Sequence, residues 1–190
     1  MELLIITGMP YSGKGTQCEF LNDYLGYKHI SMGDVCRAEK EKGTELGRIM
    51  SEYHEKGNLV PNKYIEEIFE NLIIDNIDEK GIILDGHPRT LSQVDQIVSM
   101  IDKIHVQNVI NIDVEETTLL ERAKERAKNS DRPDDKNPAI HLKRIEVFKE
   151  STLPAVEYMS KIMPFVNIDG NGSVEETREK IKENIFIFED

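Results

Sequence analysis

The sequence predicts an α/β fold in which a parallel sheet is covered by helices on both faces, and three observations carry that prediction. Short, nearly continuous apolar runs of β-type residues recur along the chain. Longer polar stretches with apolar residues at helical spacing lie between them, as crossover helices require. A glycine-rich segment, Gly8-Met9-Pro10-Tyr11-Ser12-Gly13-Lys14-Gly15-Thr16, stands between the first apolar run and the first helical pattern.

Taken in order, the first strand is Glu2–Thr7, and the glycine-rich segment then opens a helix. A short strand falls near Tyr27–Ile30. About fifty residues of helix-like pattern without a strand follow, an excursion from the sheet. Within it Asn62 reads as an N-cap, with Glu66 and Glu67 in the first turns and Tyr64, Ile68 and Leu72 as the apolar stripe. The third and fourth strands are Gly81–Asp85 and Gln107–Asp113. A helix carrying Leu119, Ala123 and Ala127 comes next, broken by the charged, turn-rich stretch Asn129-Ser130-Asp131-Arg132-Pro133-Asp134-Asp135. Pro154 should kink the helical segment from about Pro138 to Lys161 near Lys149–Ser151, or divide it. Pro164–Ile168 is the last strand, and a final helix runs from about Val174 to Ile187.

The 190 residues are a little over one typical domain length, with 38% apolar residues for a core and 32% charged residues for a solvated surface. Twenty-four Lys+Arg against 36 Asp+Glu leave a net charge of −12, which argues against a nucleic-acid or anionic-membrane binder. It leaves room for a small anion in a locally basic cleft. No apolar run is long enough for a membrane span, and Met1–Thr7 lacks the cationic start of a signal peptide. Cys18 and Cys36 form neither a C-x-x-C pair nor a disulfide framework, which fits a reduced, cytoplasmic chain without structural zinc. Both are expected as buried small residues, and the five histidines as structural or surface residues.

The glycine-rich segment has the setting a phosphate-binding loop needs. Glycines let backbone N–H groups converge on phosphate oxygens, the helix N-terminus adds positive potential, and Lys14 reaches the terminal phosphates. Here Gly15 follows the lysine and Thr16 takes the next place. This Gly-Lys-Gly-Thr-Gln variant occurs with Ile30-Ser31-Met32-Gly33-Asp34, Gly57-Asn58-Leu59-Val60-Pro61, Asp85-Gly86-His87-Pro88-Arg89-Thr90, Arg132-x-Asp134-Asp135 and Asp169-Gly170. In that order, and over nearly the whole chain, these motifs resemble the adenylate kinase family of nucleoside monophosphate kinases.

The resemblance implies a P-loop NTPase three-layer fold with a five-stranded parallel sheet. It implies a single domain, 1–190, carrying a helical acceptor-nucleotide excursion at about 31–60 and a short lid at about 126–136. It implies reversible transfer of a phosphoryl group from ATP to AMP, giving two ADP, in a cytoplasmic and monomeric enzyme that uses Mg²⁺. Tyr11, Ser12, Gly13, Lys14, Gly15, Thr16, Arg122, Arg126 and Gly172 would then face ATP, with Arg122 stacking on the base. Met32, Arg37, Asn58, Leu59, Val60, Gly86, His87, Pro88, Arg89, Gln93, Arg132 and Arg144 would face AMP. Arg37 and Arg89 would hold its phosphate, while Arg126, Arg132 and Arg144 close over the transferring group.

Residue chemistry supports the arginine assignment independently, since two polyanionic nucleotides repel each other and guanidinium forks bind phosphate bidentately. Asp85 ends a strand where a parallel sheet faces its ligand crevice, and is expected to orient Mg²⁺ through water with Asp34 assisting. Asp134 and Asp135 are expected to lock arginines in a closed lid.

Three positions depart from the family pattern: Tyr11 replaces a glycine, His87 another aromatic, and Met32 a threonine. If position 11 needs positive φ, tyrosine is strained there by about 1–3 kcal/mol; otherwise the loop adjusts and the ring shields the phosphate cleft. Gln93 favours AMP, because its amide can pair with adenine's edge, whereas pyrimidine-selective relatives tend to carry asparagine. The alternative for Gln93 is a solvent-facing helix residue. A UMP/CMP kinase of the same fold and a catalytically weak nucleotide binder are the competing functions. A GTPase-like switch lacks an Asn-Lys-x-Asp motif.

Overall fold

The computed structural model of the chain describes residues 1–130 and 135–185. β1 (Glu2–Gly8) lies at the centre of the sheet, paired in parallel with β3 (Gly81–Asp85) on one side and β4 (His105–Asp113) on the other. β2 (Lys28–Ser31) and β5 (Phe165–Asp169) pair in parallel with β3 and β4, giving the order β2-β3-β1-β4-β5. Alternation along β1 sends Leu3 and Ile5 to one face and Leu4 and Ile6 to the other. Both faces are covered, which is why this strand reads as a continuous apolar run.

On one face α1 (Lys14–Leu25), α6 (Glu116–Asn129) and α9 (Val174–Asn184) bring Cys18, Leu21, Leu119 and Ile181 against Leu4 and Ile6. The other face meets α4 (Asn62–Asp75), α5 (Leu91–Ser99) and α8 (Leu153–Ile162), through Phe69, Ile73, Val94 and Met159. α2 (Met32–Glu41) and α3 (Glu45–Glu55) form the excursion after β2, each started by a side-chain cap, from Ser31 and Thr44. α7 (Pro138–Val147) runs into α8 through a π-helical turn at Phe148–Thr152. Pro154 lacks an N–H and sits in the first turn of α8, so the wider turn just before it absorbs the interrupted ladder where the sequence predicted a kink.

Two expectations need correction. Asn62 is the first helical residue rather than the cap, and Pro61 holds the cap position without a side-chain bond. The Asn62 amide oxygen is drawn away by Thr90 Oγ1 (3.1 Å) and Gln93 Nε2 (3.0 Å). The buried stripe of α4 is Ile65, Phe69 and Ile73, one position on from the predicted one; Tyr64, Ile68 and Leu72 flank the same core, partly buried. The final helix begins with a Ser173–Glu176 capping box and ends at Asn184, and the predicted end at Ile187 lies outside the described residues. Among the described residues no helix is long and apolar enough to cross a membrane.

Candidate active site

The phosphate loop joins β1 to α1. Gly8 has φ +140°, and a Cβ there would come within 2.5 Å of the Ile112 carbonyl oxygen on β4, so no other residue fits. Lys14 is the first residue of α1, and its buried ammonium donates to Gly8 O (2.8 Å), Met9 O (2.9 Å) and Ser12 Oγ (3.4 Å). Burial pushes the Lys14 ammonium down to about 8, against the opposing pull of Asp85.

The loop opens onto a cleft of about 1560 Å³ at the carboxyl ends of the central strands. Lys14, Arg37, Arg89, Arg126 and Arg144 all line it, a local concentration of positive charge in an acidic protein. Tyr11, Gly13, Gly15, Thr16, Asp34, Asn58, Leu59, Gly86 and Pro88 line it as well. Arg89 Nε donates to Gly86 O (2.6 Å), and the positive φ of Gly86 leaves the space its guanidinium occupies. Burial raises the Asp85 carboxyl, but the His29 imidazole and the Lys14 and Arg89 cations outweigh it and hold it below the usual carboxylate range. Asp34 is paired with Arg37 one turn on along α2.

Asp135 forms a buried hub. Its carboxylate accepts from Arg126 Nε (2.8 Å), Arg144 Nη1 (2.9 Å) and Ser130 Oγ (2.9 Å), while its carbonyl bonds His141 Nε2 (2.7 Å). Tyr11 reaches this hub from the phosphate loop. Arg144 Nη1 donates to its hydroxyl (3.1 Å), and its ring lies 5.1 Å from that of His141. Tyr11 has φ 70°, the one non-glycine residue with positive φ among the described residues. Position 11 therefore keeps the left-handed conformation, and the ring bridges the phosphate loop and α7.

Beside the cleft, a small recess is lined by Met32, Leu59, Val60, Ile65, His87 and Gln93, among others. Gln93 is 2% exposed, so it is not a solvent-facing helix residue. Its Oε1 accepts from the Arg89 backbone N–H (2.7 Å) and its Nε2 donates to Asn62 Oδ1 (3.0 Å). With Thr90 capping α5, Gln93 thus helps start the helix and orients its own amide. The Thr-x-x-Gln spacing that signals this went unread in the sequence.

Arg122, expected at the ATP base, donates to Ser12 O (3.2 Å), Gly170 O (2.8 Å) and Gly172 O (3.2 Å), tying the phosphate loop to the turn after β5. Ser12 is buried beneath the loop rather than lining the cleft. Arg132 and Asp134 lie outside the described residues. Cys18 and Cys36 are buried, and burial pushes both thiols up, so neither is a thiolate at neutral pH. The Cys18 thiol, His29 imidazole and Asp85 carboxylate have ligand atoms within 4.8 Å of one another. For Mg²⁺, which prefers oxygen and keeps several waters, the ionised Asp85 is the fitting member of that set. His29 and His141, read from sequence as structural or surface residues, both touch the site; only the strand register and α7 bring them there.

The adenylate kinase family model matches residues 6–163. The chain belongs to the adenylate kinase family. It is 39% identical over 184 residues to an adenylate kinase of Parabacteroides distasonis, covering 96% of each chain. An adenylate kinase of Porphyromonas gingivalis is 39% identical over 180 residues, covering 94% of this chain and 92% of its own. One from Methanosarcina barkeri is 34% identical over 207 residues, covering 94% of this chain and 96% of its own. The five-stranded parallel sheet agrees with the fold of the adenylate kinase family.

Proposed function

We propose that this member of the adenylate kinase family transfers the terminal phosphoryl group of ATP reversibly to AMP, giving two ADP. The observation that supports it most is the convergence of Lys14, Arg89, Arg126 and Arg144 on one cleft, with a largely apolar recess alongside. An AMP phosphate oxygen attacks the γ-phosphorus as the bond to the β,γ-bridging oxygen breaks, so no residue need form a covalent intermediate. Lys14 exchanges its loop carbonyls for the β- and γ-phosphate oxygens. Arg37 and Arg89 hold the acceptor phosphate, while Arg126, Arg132 and Arg144 gather the charge of the transferring group. Arg122 fixes the phosphate loop against the turn at Gly170 and Gly172, and from there it would stack on the ATP base. Bound Mg²⁺ supplies charge neutralisation on the nucleotide phosphates. Asp85, assisted by Asp34, would hold it through water.

The segments 31–60 and 126–136 are assigned as the acceptor-nucleotide excursion and the lid, and a monomer in the cytoplasm is the expected state. The test is ADP production from ATP with AMP, CMP, UMP or GMP as acceptor. AMP gives the highest kcat/KM; a pyrimidine nucleotide as best acceptor overturns the reading.

A further inference from the structure

His87 is 1% exposed, forms part of the wall of the recess, and stacks on Phe69 with ring centroids 4.5 Å apart and an interplanar angle of 28°. Neither of its ring nitrogens has a hydrogen-bond partner among the described residues. Buried polar groups are normally paired, so two orphaned nitrogens on one ring call for an explanation. A phenylalanine would offer the same plane to Phe69 without them. The remaining named walls, Met32, Leu59, Val60 and Ile65, are apolar, and the Gln93 amide is oriented by Arg89 and Asn62. Burial, with the Arg89 cation adding to it, pushes the imidazole down to about 3, so the ring is neutral and carries one donor and one acceptor. Among the described residues no partner fixes which nitrogen bears the proton.

We propose that His87 hydrogen-bonds the base of the acceptor nucleotide, its tautomer set by the base it meets. The inference rests on the recess being the acceptor site of the proposed reaction. The base supplies the partner that the protein withholds, while Phe69 keeps the ring in the orientation that meets it. His87 and Gln93 then divide the work: the amide is fixed in advance and the imidazole adapts.

The test is His87→Phe, which preserves the stacking plane and removes only the nitrogens. One net hydrogen bond corresponds to about a three- to tenfold change, so the dissociation constant for AMP should rise by that factor. Ribose 5-phosphate has the same phosphate and sugar but no base, and its inhibition constant against AMP should stay within about twofold. The KM for ATP should likewise stay unchanged. The free variant should melt at or above the wild-type temperature, because a buried unpaired group has been replaced by an apolar one. An unchanged AMP affinity overturns the proposal. So does equal weakening of AMP and ribose 5-phosphate, which would mark a general loosening of the pocket. Failure of the underlying reading is separable, since wild-type protein would then not form ADP from ATP and AMP at all.

Discussion

Replacing Tyr11 tests how the phosphate loop is coupled to the arginines above it. Its φ of 70° costs about 1–2 kcal/mol for a residue with a Cβ. Against this stand the ring contact with His141 at 5.1 Å, worth about 0.5–1.5 kcal/mol, and the hydrogen bond from Arg144 at 3.1 Å. Burial raises the phenol above its ordinary value despite the opposing Arg144 charge, so the hydroxyl stays protonated and accepts from the guanidinium. Tyr11→Phe removes only that bond. Arg144 remains held by Asp135 at 2.9 Å, so the effect is bounded at about 1–1.5 kcal/mol, the upper part of the range for an ordinary net hydrogen bond. A fall in kcat of about five- to tenfold follows, with little change in KM for either nucleotide. Tyr11→Gly relieves the backbone strain but loses the ring and gains about 0.5–1 kcal/mol of chain entropy cost. The losses together exceed the strain relieved by about 1–2 kcal/mol, so its melting temperature should fall by a few degrees while its kcat falls at least as far as that of Tyr11→Phe. Coupled ADP assays and thermal melts on both variants decide the matter. Tyr11→Phe within twofold of wild type would refute the coupling, and Tyr11→Gly more active than wild type would make the tyrosine a burden.

Lys14→Ala should lower kcat by about 10²–10³-fold with the fold intact by circular dichroism, because the ammonium follows the transferring charge; a loss under threefold would sink the assignment. Free Lys14 titrates near 8, below its ordinary 10.5, so kcat/KM for ATP should decline as pH rises through about 8. The folded protein binds fewer protons than the unfolded chain between those values, so the stability cost of burying the ammonium is full below pH 8 and relieved as pH rises toward 10.5. A flat kcat/KM profile to pH 9.5 would contradict the burial argument. Asp135→Asn should cost about 1–3 kcal/mol of stability, read as a lower melting temperature, and also lower kcat, because it uncouples Arg126 and Arg144 together. Unchanged kcat would show that the two arginines do not depend on the hub.

β1 and β3 were legible because their buried runs are apolar on both faces, and the β3 bounds agree with the sequence at both ends. The phase of α4 was not, since Tyr64, Ile68 and Leu72 form a second apolar stripe beside Ile65, Phe69 and Ile73; only packing tells them apart. Asn62 looked like a cap because short polar residues usually are, but a partner on a distant helix, Gln93, claimed its amide. The cleft's cationic residues could be named one by one from motifs. Their mutual arrangement could not, because the Asp135 hub joins residues from α6, α7 and the phosphate loop through tertiary contacts alone. Likewise His87 reads from sequence as a mild aromatic replacement, and only burial without a partner singles it out.

Product stoichiometry tests the central claim most directly. With ATP labelled at the γ-phosphate and unlabelled AMP, the account predicts two ADP formed per ATP consumed, the label in the β-phosphate of one of them, and no free phosphate. Labelled inorganic phosphate with one ADP per ATP would show transfer to water instead, and would contradict it.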